Sequence, residues 1–534
     1  MTRNERGVAR SPWLAPACFA ILAAASMRTM AGTFDPANAS ILQLRAALDG
    51  GRVTSEQLVA FYMDRIERFD RKGPRINALI SLNPHARQQA RQSDEDFATT
   101  HRASMLRGIP FIAKDNYNTA GMATTGGSAA LRHAVPSSNA FIVQRLIDQG
   151  AILIGKSNMS ELAASYGRLG YSSAGGLTLN PYNTARDVSG SSSGSAAAVA
   201  ADFAPFALGT DTAGSVRGPA SVAGLVGLRP TMGLTSRSGV IPLSLTFDTT
   251  GILARSTEDL AVVLDAIAAP DAEDAATRAQ PAHGSYRAAI AAKSLRGARL
   301  GVIGNFRGAN AEVDAAEKNA LSRLEGQGAV LVPVALPAEF ETLWESVLGP
   351  VGAAEFKPQF ERYLRTLPPG QPRTLAELID ISASDAVMNS ATPVNPKRLQ
   401  ALRDADSTSL TDSPTYIHIL SRVIPELRAR LLAVMASNKL EAFVFSTMGC
   451  PAGPRFDAAD PGGYACDSDD SYKPGYVASA AGFPEVTVPA GRVSGNVPVG
   501  YSFMGAPYSE ARLLSLAHAF QSVAPRLPAP VLAD

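Results

Sequence analysis

The chain has 534 residues, of which 46% are hydrophobic and 18% are charged, and its formal net charge is +1. This composition predicts a globular protein with a large buried core and argues against a disordered chain. A nearly neutral chain without a long basic run offers no electrostatic footprint for a phosphate backbone, so nucleic acid is not expected as a partner.

The N-terminus has the pattern of an export signal. Arg3, Arg6 and Arg10 supply positive charge, an apolar run follows over residues 13–25, and a small residue, Ala31, stands where cleavage would occur. The apolar run is shorter than the roughly 20 residues that a membrane-spanning helix needs. We therefore expect no stable membrane span once the signal has been removed.

These features predict that residues 1–31 are a cleaved signal peptide and that residues 32–534 form a single domain. The mature protein would then be exported, either to a periplasm or out of the cell. An uncleaved N-terminal anchor and a misassigned start codon are the alternatives.

The hydrophobic pattern of the remaining chain indicates an α/β fold. Residues 38–72 place apolar side chains at helical spacing, with Thr54-Ser55-Glu56 as a plausible helix start. Short apolar runs of strand length alternate with helical segments; the clearest are Ile152–Ile154, Phe206–Leu208, Leu300–Ile303, Val330–Val332, Phe443–Phe445 and Glu485–Val488. This alternation predicts a mixed, mostly parallel sheet that is covered by helices on both faces.

Export changes what is expected of the cysteines. Cys450 and Cys466 are the pair that remains after signal removal, and they close a short loop rich in Gly, Pro and Asp. We predict that they form a disulfide, worth roughly 3 kcal/mol in the chain-entropy model. Two small buried thiols are the alternative.

Three Gly-rich or Pro-flanked turns carry residues that suit a hydrolase. These turns contain Lys114 in Gly108–Asp115, Ser191 in Ser189–Ser195, and Ser215 in Gly209–Pro219. A serine attacks an amide well only when a base lies within hydrogen-bond reach and donors stabilise the oxyanion. No turn motif is built around a histidine; the six are His85, His101, His133, His283, His418 and His518.

A lysine can take the place of that base. It acts as a base only if burial or nearby positive charge lowers its pKa from about 10.4 towards 7 or 8. Lys114 follows the apolar stretch Ile109–Ala113, which would bury its stem. The alternative is an ordinary ion pair with Asp115 at the end of a strand.

At these three turns the chain resembles the amidase signature family, and the resemblance extends from about residue 35 to about residue 520. It implies a Ser-cisSer-Lys triad with Lys114 as base, Ser191 as proton relay and Ser215 as nucleophile. The family holds the relay serine through a cis bond, here Gly190-Ser191. The resemblance also implies one sheet of about eleven strands sandwiched by helices.

Family analogy places the oxyanion hole at the backbone amides of Thr212, Ala213, Gly214 and Ser215. The chain departs from the family's usual Gly-Gly-Ser, because Ala213 replaces the first glycine. Should that position require a positive φ, alanine would cost about 1 kcal/mol or more. We expect the substitution to be tolerated.

Residues beside the triad also match the family. Ser192, Asp211 and Arg217 occupy positions that support the triad by hydrogen bonds and ion pairing. Two positions that are glycine in the family are Ser189 and Ser193 here. Neither change removes a catalytic group, but Ser193 adds a hydroxyl close to them.

The segment Gly190–Gly194 also fits Gly-x-Ser-x-Gly, the nucleophile elbow of α/β-hydrolases, with Ser192 at its centre. That elbow needs a buried strand immediately before it, whereas residues 180–187 form a polar loop. A His-dependent α/β-hydrolase is therefore a remote alternative. A catalytically inactive binding protein is another.

Within the family the chain most resembles peptide amidases. The similar segments are Lys156–Glu161, Ala354–Lys357, Thr374–Ile379 and Gly482–Gly491. The resemblance implies an amidohydrolase that releases an acid and ammonia or an amine, with small-molecule or C-terminal peptide amides as substrates. A broad aryl-acylamidase or esterase of the same family is the alternative.

Two further expectations complete the hypothesis. No spacing of Cys, His or carboxylates suits a metal, so we expect neither a metal nor another cofactor, and a monomer or homodimer. Residues 337–480, which are variable in the family, would form the substrate funnel. Five large side chains are candidates for an apolar pocket or for core: Tyr166, Trp344, Phe356, Met448 and Tyr472.

Overall fold

A computed structural model describes residues 34–100, 104–291, 294–408, 410–459, 462, 464–524 and 527–533. The predicted signal segment, residues 1–31, lies outside the described residues. Within the described residues, no helix combines the length and the apolar character that crossing a membrane requires.

The strands are β1 Leu79–Leu82, β2 Pro110–Lys114, β3 Ile152–Ser157, β4 Tyr171–Ser172, β5 Gly176–Leu177, β6 Phe206–Asp211, β7 Val226–Arg229, β8 Thr249–Ala254, β9 Arg299–Ile303, β10 Val330–Val334, β11 Ala442–Ser446, β12 Glu485–Val493 and β13 Val497–Met504. Eleven of these described strands form one sheet, in the order β1-β3-β2-β6-β8-β7-β12-β13-β11-β9-β10, and β4 pairs with β5. The prediction of a mixed sheet of about eleven strands is confirmed.

Parallel pairing occurs in two blocks of this sheet, β3-β2-β6 and β11-β9-β10. The other pairings, including all those between β6 and β11 at the centre, are antiparallel, so four of ten pairings are parallel although the sequence favoured more. The central pairing has a local cause. A short turn, Ser494–Asn496, joins β12 to β13, and so short a connection permits only an antiparallel pair.

The helices are α1 Ile41–Asp49, α2 Ser55–Arg65, α3 Ala86–Thr100, α4 Phe141–Asp148, α5 Ser193–Ala200, α6 Arg217–Val222, α7 Thr257–Ile267, α8 Tyr286–Ile290, α9 Ala311–Gly326, α10 Gly349–Leu364, α11 Leu375–Ser382, α12 Asp385–Met388, α13 Pro396–Ser407, α14 Pro414–His418, α15 Ile424–Asn438, α16 Lys473–Ala481 and α17 Glu510–Val523. Shorter π or 3-10 segments lie at Ile66–Arg71, Ala129–Leu131, Glu161–Ala163, Ala275–Thr277, Ala338–Glu341, Trp344–Leu348, Ile419–Val423 and Ser494–Asn496.

The local predictions agree with these elements. Thr54 caps α2, because its hydroxyl accepts a hydrogen bond from the Gln57 backbone amide and the Gln57 side-chain oxygen accepts one from the Thr54 backbone amide. All six predicted apolar runs lie in strands, namely β3, β6, β9, β10, β11 and β12. Cys450 and Cys466 form the predicted disulfide.

The two faces of the sheet belong to different core clusters, and this arrangement positions the site. On β2, Phe111 and Ala113 pack in the cluster that contains α1, α4, α7 and α17, whereas Ile112 packs in the cluster that contains α2, α5 and α6. Side chains alternate along a strand. Lys114, at the end of β2, therefore lies on the same face as Ile112 and points towards the start of α5.

Candidate active site

The three predicted turns meet at one edge of the sheet. Strands β2 and β6 are parallel neighbours, so Lys114 and Asp211 lie at adjacent carboxyl ends. Ser191 lies just before α5, and Ser215 lies between β6 and α6. The amide of Ser192 donates to the Ser215 carbonyl over 3.1 Å, which ties the last two turns together.

Lys114 is completely buried among hydroxyl groups. Its Nζ lies 2.8 Å from Ser191 Oγ, 3.0 Å from Ser192 Oγ and 2.8 Å from Thr210 Oγ1. Burial disfavours the ammonium and lowers the pKa of Lys114 to about 7, although the carboxylates of Asp211 and Asp248 partly oppose that effect. A large fraction of Lys114 is therefore neutral near pH 7.

Asp115 is not the partner of Lys114. Its Oδ1 lies 3.3 Å from the Nζ of Lys156, another completely buried lysine, and its Oδ2 accepts a hydrogen bond from the Thr125 amide. The ion pair that was the alternative for Lys114 is therefore wrong. In the part of the chain that the structure describes, Lys114 forms no ion pair with a carboxylate.

The two serines differ in accessibility. Ser191 is only 3% exposed, and the Gly190-Ser191 peptide bond before it is cis, as the resemblance implied. Ser215 and the neighbouring Ala213 are half-buried. A substrate can therefore approach Ser215 from solvent, whereas the Ser191 hydroxyl is buried against Lys114 Nζ.

The Asp211 carboxylate organises the turn that carries Ser215. It accepts hydrogen bonds from the amides of Gly214 at 2.9 Å and Val216 at 3.0 Å, and from the Arg217 guanidinium at 2.9 and 3.0 Å. Burial alone would raise the pKa of Asp211. The guanidiniums of Arg217 and Arg229 overcome burial and hold that pKa well below its usual range.

This arrangement corrects one detail of the predicted oxyanion hole. The Gly214 amide is already donated to Asp211 Oδ1, because the turn folds back over the carboxylate. The amides of Thr212, Ala213 and Ser215 donate to no acceptor among the residues described. Three of the four predicted donors are thus left for a substrate oxygen.

The same turn explains why Ala213 is tolerated. The left-handed φ of the turn falls at Gly214, at +105°, and not at Ala213. A Cβ added to Gly214 would lie 2.9 Å from Cδ1 of Tyr472. The glycine that this turn requires is therefore the second of the pair, which the chain retains.

The supporting residues lie where the resemblance implied. Ser192 Oγ accepts from Lys114 and donates to the Thr210 carbonyl over 3.2 Å. Besides Asp211, the Arg217 guanidinium donates to the Glu485 carboxylate over 2.5 Å and to the Gly475 carbonyl over 2.7 Å. It thereby ties the turn that carries Ser215 to β12 and α16.

Ser193 does not reach the catalytic groups. Its hydroxyl donates to the Ser189 carbonyl over 2.9 Å, so it stabilises the turn before Ser191. Ser189 itself adopts a φ of +60°, which explains why glycine would suit that position.

Two neighbouring residues, Arg229 and Asp248, were not indicated by the sequence. Arg229 Nη1 donates to Asp211 Oδ1 over 3.0 Å, and burial lowers the pKa of Arg229 to about 10. Thr212 donates to Asp248 Oδ1 over 2.5 Å. The Tyr472 hydroxyl contacts the residues before Ser191. No local pattern marks Arg229 or Asp248, because every residue of β7 is buried and the contact of Asp248 is with a distant turn.

The other large side chains are more dispersed. Phe356 and Met448 are buried, whereas Tyr166 and Trp344 are exposed. Tyr472 is in contact with the turns that carry the predicted catalytic serines. The predicted pocket of five residues is therefore not a single surface.

The nucleophile-elbow alternative is wrong. Residues 178–192 contain no strand, only an isolated bridge between Arg186 and Pro454, so Ser192 does not follow a buried strand. His518 contacts Thr257 at the start of α7. Among the described residues, no three His, Cys, Asp or Glu side chains form a group that could hold a metal ion.

Comparisons with known proteins identify the family. A family model described as Amidase matches residues 57–514. The chain is 32% identical over 520 residues to a probable amidase of Arabidopsis thaliana, covering 95% of this chain and 94% of that one. It is 34% identical over 493 residues to a glutamyl-tRNA(Gln) amidotransferase subunit from Halorhodospira halophila, covering 91% of this chain and 97% of that one.

Solved structures give the same result. The native peptide amidase from Stenotrophomonas maltophilia superimposes with a TM-score of 0.81 at 36% sequence identity, covering 92% of this chain and 98% of that one. The fold and these similarities define an amide hydrolase. The chain belongs to the amidase signature family.

Proposed function

We propose that the enzyme hydrolyses amides through an acyl-enzyme on Ser215, with Ser191 as proton relay and neutral Lys114 as base. The observation that carries this proposal is the contact of 2.8 Å between Lys114 Nζ and Ser191 Oγ. A hydroxyl can accept one proton while it donates another. Ser191 is therefore suited to pass the Ser215 proton to the lysine.

The steps follow from these roles. Ser215 Oγ attacks the amide carbonyl and transfers its proton through Ser191 to Lys114, while the amides of Thr212, Ala213 and Ser215 stabilise the oxyanion. Collapse of the tetrahedral intermediate breaks the C–N bond, and the same route returns the proton to the leaving amine. Water then attacks the ester that joins the acyl group to Ser215, and the enzyme releases a carboxylic acid.

C-terminal peptide amides are the proposed substrates. The likeness to the peptide amidase of Stenotrophomonas maltophilia supports this class, and residues 337–480 are the proposed funnel. Tyr472, which belongs to that region, contacts the glycine turn of Ser215.

The similarity to an amidotransferase subunit from Halorhodospira halophila supports a second candidate function. In that reaction the amide nitrogen would pass to an acceptor instead of being released. A side-chain amide such as glutamine would supply the nitrogen.

The test measures ammonia or amine release from a panel by wild type and by Ser215→Ala. The panel contains a peptide C-terminal amide, a fatty amide, an anilide, a matched ester and glutamine. We expect wild type to prefer the peptide amide and Ser215→Ala to lose several orders of magnitude in turnover. Full activity of Ser215→Ala would overturn the mechanism, and a preference for another member would replace the substrate class.

A matched control keeps the result specific. Ser322→Ala removes an exposed serine hydroxyl that donates to the Lys318 carbonyl, outside the proposed funnel, and it should leave turnover unchanged. Replacement of His283, His418 and His518 should also leave most activity. Loss of activity in a histidine variant would favour a His-dependent hydrolase instead.

We also propose that the enzyme is exported after removal of residues 1–31. The disulfide between Cys450 and Cys466 supports this proposal, because disulfides persist in oxidising compartments and are rare in a reducing cytosol. Fractionation of the native host, with the N-terminus of the mature protein sequenced, tests it. An unprocessed protein in the cytoplasm would contradict it.

A further inference from the structure

The phenol of Tyr472 holds the peptide that precedes the relay serine. Its oxygen accepts a hydrogen bond from the Gly190 amide over 3.1 Å, and its hydroxyl lies 3.1 Å from the Gly190 carbonyl. The Ser189 hydroxyl also contacts the phenol oxygen. One side chain therefore binds both polar groups of Gly190, the residue directly before Ser191.

The ring of Tyr472 packs on the other catalytic turn. A Cβ on Gly214 would lie 2.9 Å from Cδ1 of the ring, and a Cβ on Gly218 would lie 2.7 Å from Cε1. Such distances are shorter than van der Waals contact, so only glycine allows this approach. Tyr472 thus bridges the segment of Ser191 and the turn of Ser215.

The backbone of Tyr472 is itself anchored. Its amide donates to Asp470 Oδ1 over 2.9 Å, and the preceding Ser471 accepts from the Gly449 amide over 2.9 Å. Gly449 is next to Cys450, which the disulfide joins to Cys466. The segment that precedes the tyrosine is therefore held in place by these hydrogen bonds and by the disulfide.

From these contacts we propose that Tyr472 is a positioning residue for hydrolysis and that the Ser189 hydroxyl is its partner. The proposal rests on the proposed function, because it assigns Tyr472 the task of holding Ser191 between Lys114 and Ser215. Tyr472 acts through the Gly190 peptide and takes no part in proton transfer. A misplacement of about 1 Å can cost about 100-fold in rate, so loss of the phenol oxygen should slow the reaction without weakening substrate binding.

The test compares Tyr472→Phe with wild type on the amide that the panel identifies. We expect kcat to fall by about 10- to 100-fold, with KM within about twofold, because the lost interaction matters in the transition state. The rate of Ser215 labelling by a fluorophosphonate should fall in parallel. The labelling endpoint should stay stoichiometric, which a loss of folded enzyme would not permit.

Two further variants complete the experiment. Ser189→Gly removes the partner hydroxyl at a φ that suits glycine, so it should reduce kcat even if Tyr472→Phe were to fold poorly. The double variant should be no slower than Tyr472→Phe alone if the two hydroxyls act as a unit. Tyr501→Phe is the matched control, because the buried Tyr501 hydroxyl has no hydrogen-bond partner among the described residues. This variant should have the kcat and the labelling rate of wild type.

The outcomes separate the two proposals. An active Ser215→Ala variant would overturn the proposed function itself. An inactive Ser215→Ala variant together with wild-type kcat in both Tyr472→Phe and Ser189→Gly would overturn only the positioning role. A fall in the labelling endpoint that matches the fall in kcat would also overturn the positioning role. It would show that the lower kcat comes from a smaller amount of folded enzyme.

Discussion

Lys114 Nζ lies 2.8 Å from Ser191 Oγ, and both side chains are shielded almost completely from solvent. A buried ammonium normally requires a carboxylate partner. In the described structure its near neighbours are hydroxyls, since Asp115 pairs with Lys156 instead. The protein thus accepts a buried lysine without a carboxylate partner, and burial favours the neutral amine that can accept a proton during the reaction.

The first prediction concerns pH. The pKa of Lys114 is lowered to about 7, chiefly by burial, and the neutral amine is the form that accepts a proton. As pH falls through about 7, the amine becomes protonated and kcat/KM should decrease by about tenfold per pH unit. Above that value kcat/KM should reach a plateau, and a pH–rate profile from pH 5 to 9 measures both.

Lys114→Arg is the control for this profile. A guanidinium keeps its proton throughout that range, so the variant should be inactive at every pH. A wild-type profile that stays flat from pH 5 to 9, or an active arginine variant, would contradict the lysine-base mechanism.

The second prediction concerns the glycine turn. Gly214→Ala places a Cβ against the ring of Tyr472 at a φ of +105°, so the turn must shift, and turnover should fall by at least about tenfold. Ala213→Gly restores the family pattern at a position without left-handed φ and should change turnover by less than about twofold. Steady-state kinetics on the preferred amide measure both variants. Equal effects of the two substitutions would show that the strain lies elsewhere.

The three turns that meet at one edge of the sheet could be identified from sequence, because each carries a local motif. Ser191 and Ser215 stand in short Gly-rich segments, and the apolar run before Lys114 signals its burial. The hydrogen bond from the Gly214 amide to Asp211 could not be predicted, because it depends on how the Asp211 side chain folds back on its own turn. The family pattern gives residue identities there, and not which amides remain free.

Long-range contacts were equally out of reach. Tyr472 contacts Gly190 across 282 residues of sequence, and no pattern near either residue indicates the contact.

The direction of the strands could not be predicted either. Apolar runs identified strands such as β6 and β12 correctly, but the direction of each strand depends on connections whose course periodicity does not reveal.

The last prediction concerns Asp211. Asp211→Asn removes the charge between Arg217 and Arg229, and a buried cation left without its partner typically costs about 3–5 kcal/mol in the free energy of unfolding. The pKa of Asp211 is lowered in the folded state, so its stabilisation is present above the ordinary carboxyl pKa and is lost as pH falls. Urea unfolding should therefore show the full deficit at pH 7 and a smaller one below about pH 4. Glu426→Gln is the control, because it breaks an exposed ion pair with Arg422 and should lower the free energy of unfolding by less than about 1 kcal/mol at pH 7. A similar loss in both variants would mean that the Asp211 network contributes no more than a surface ion pair.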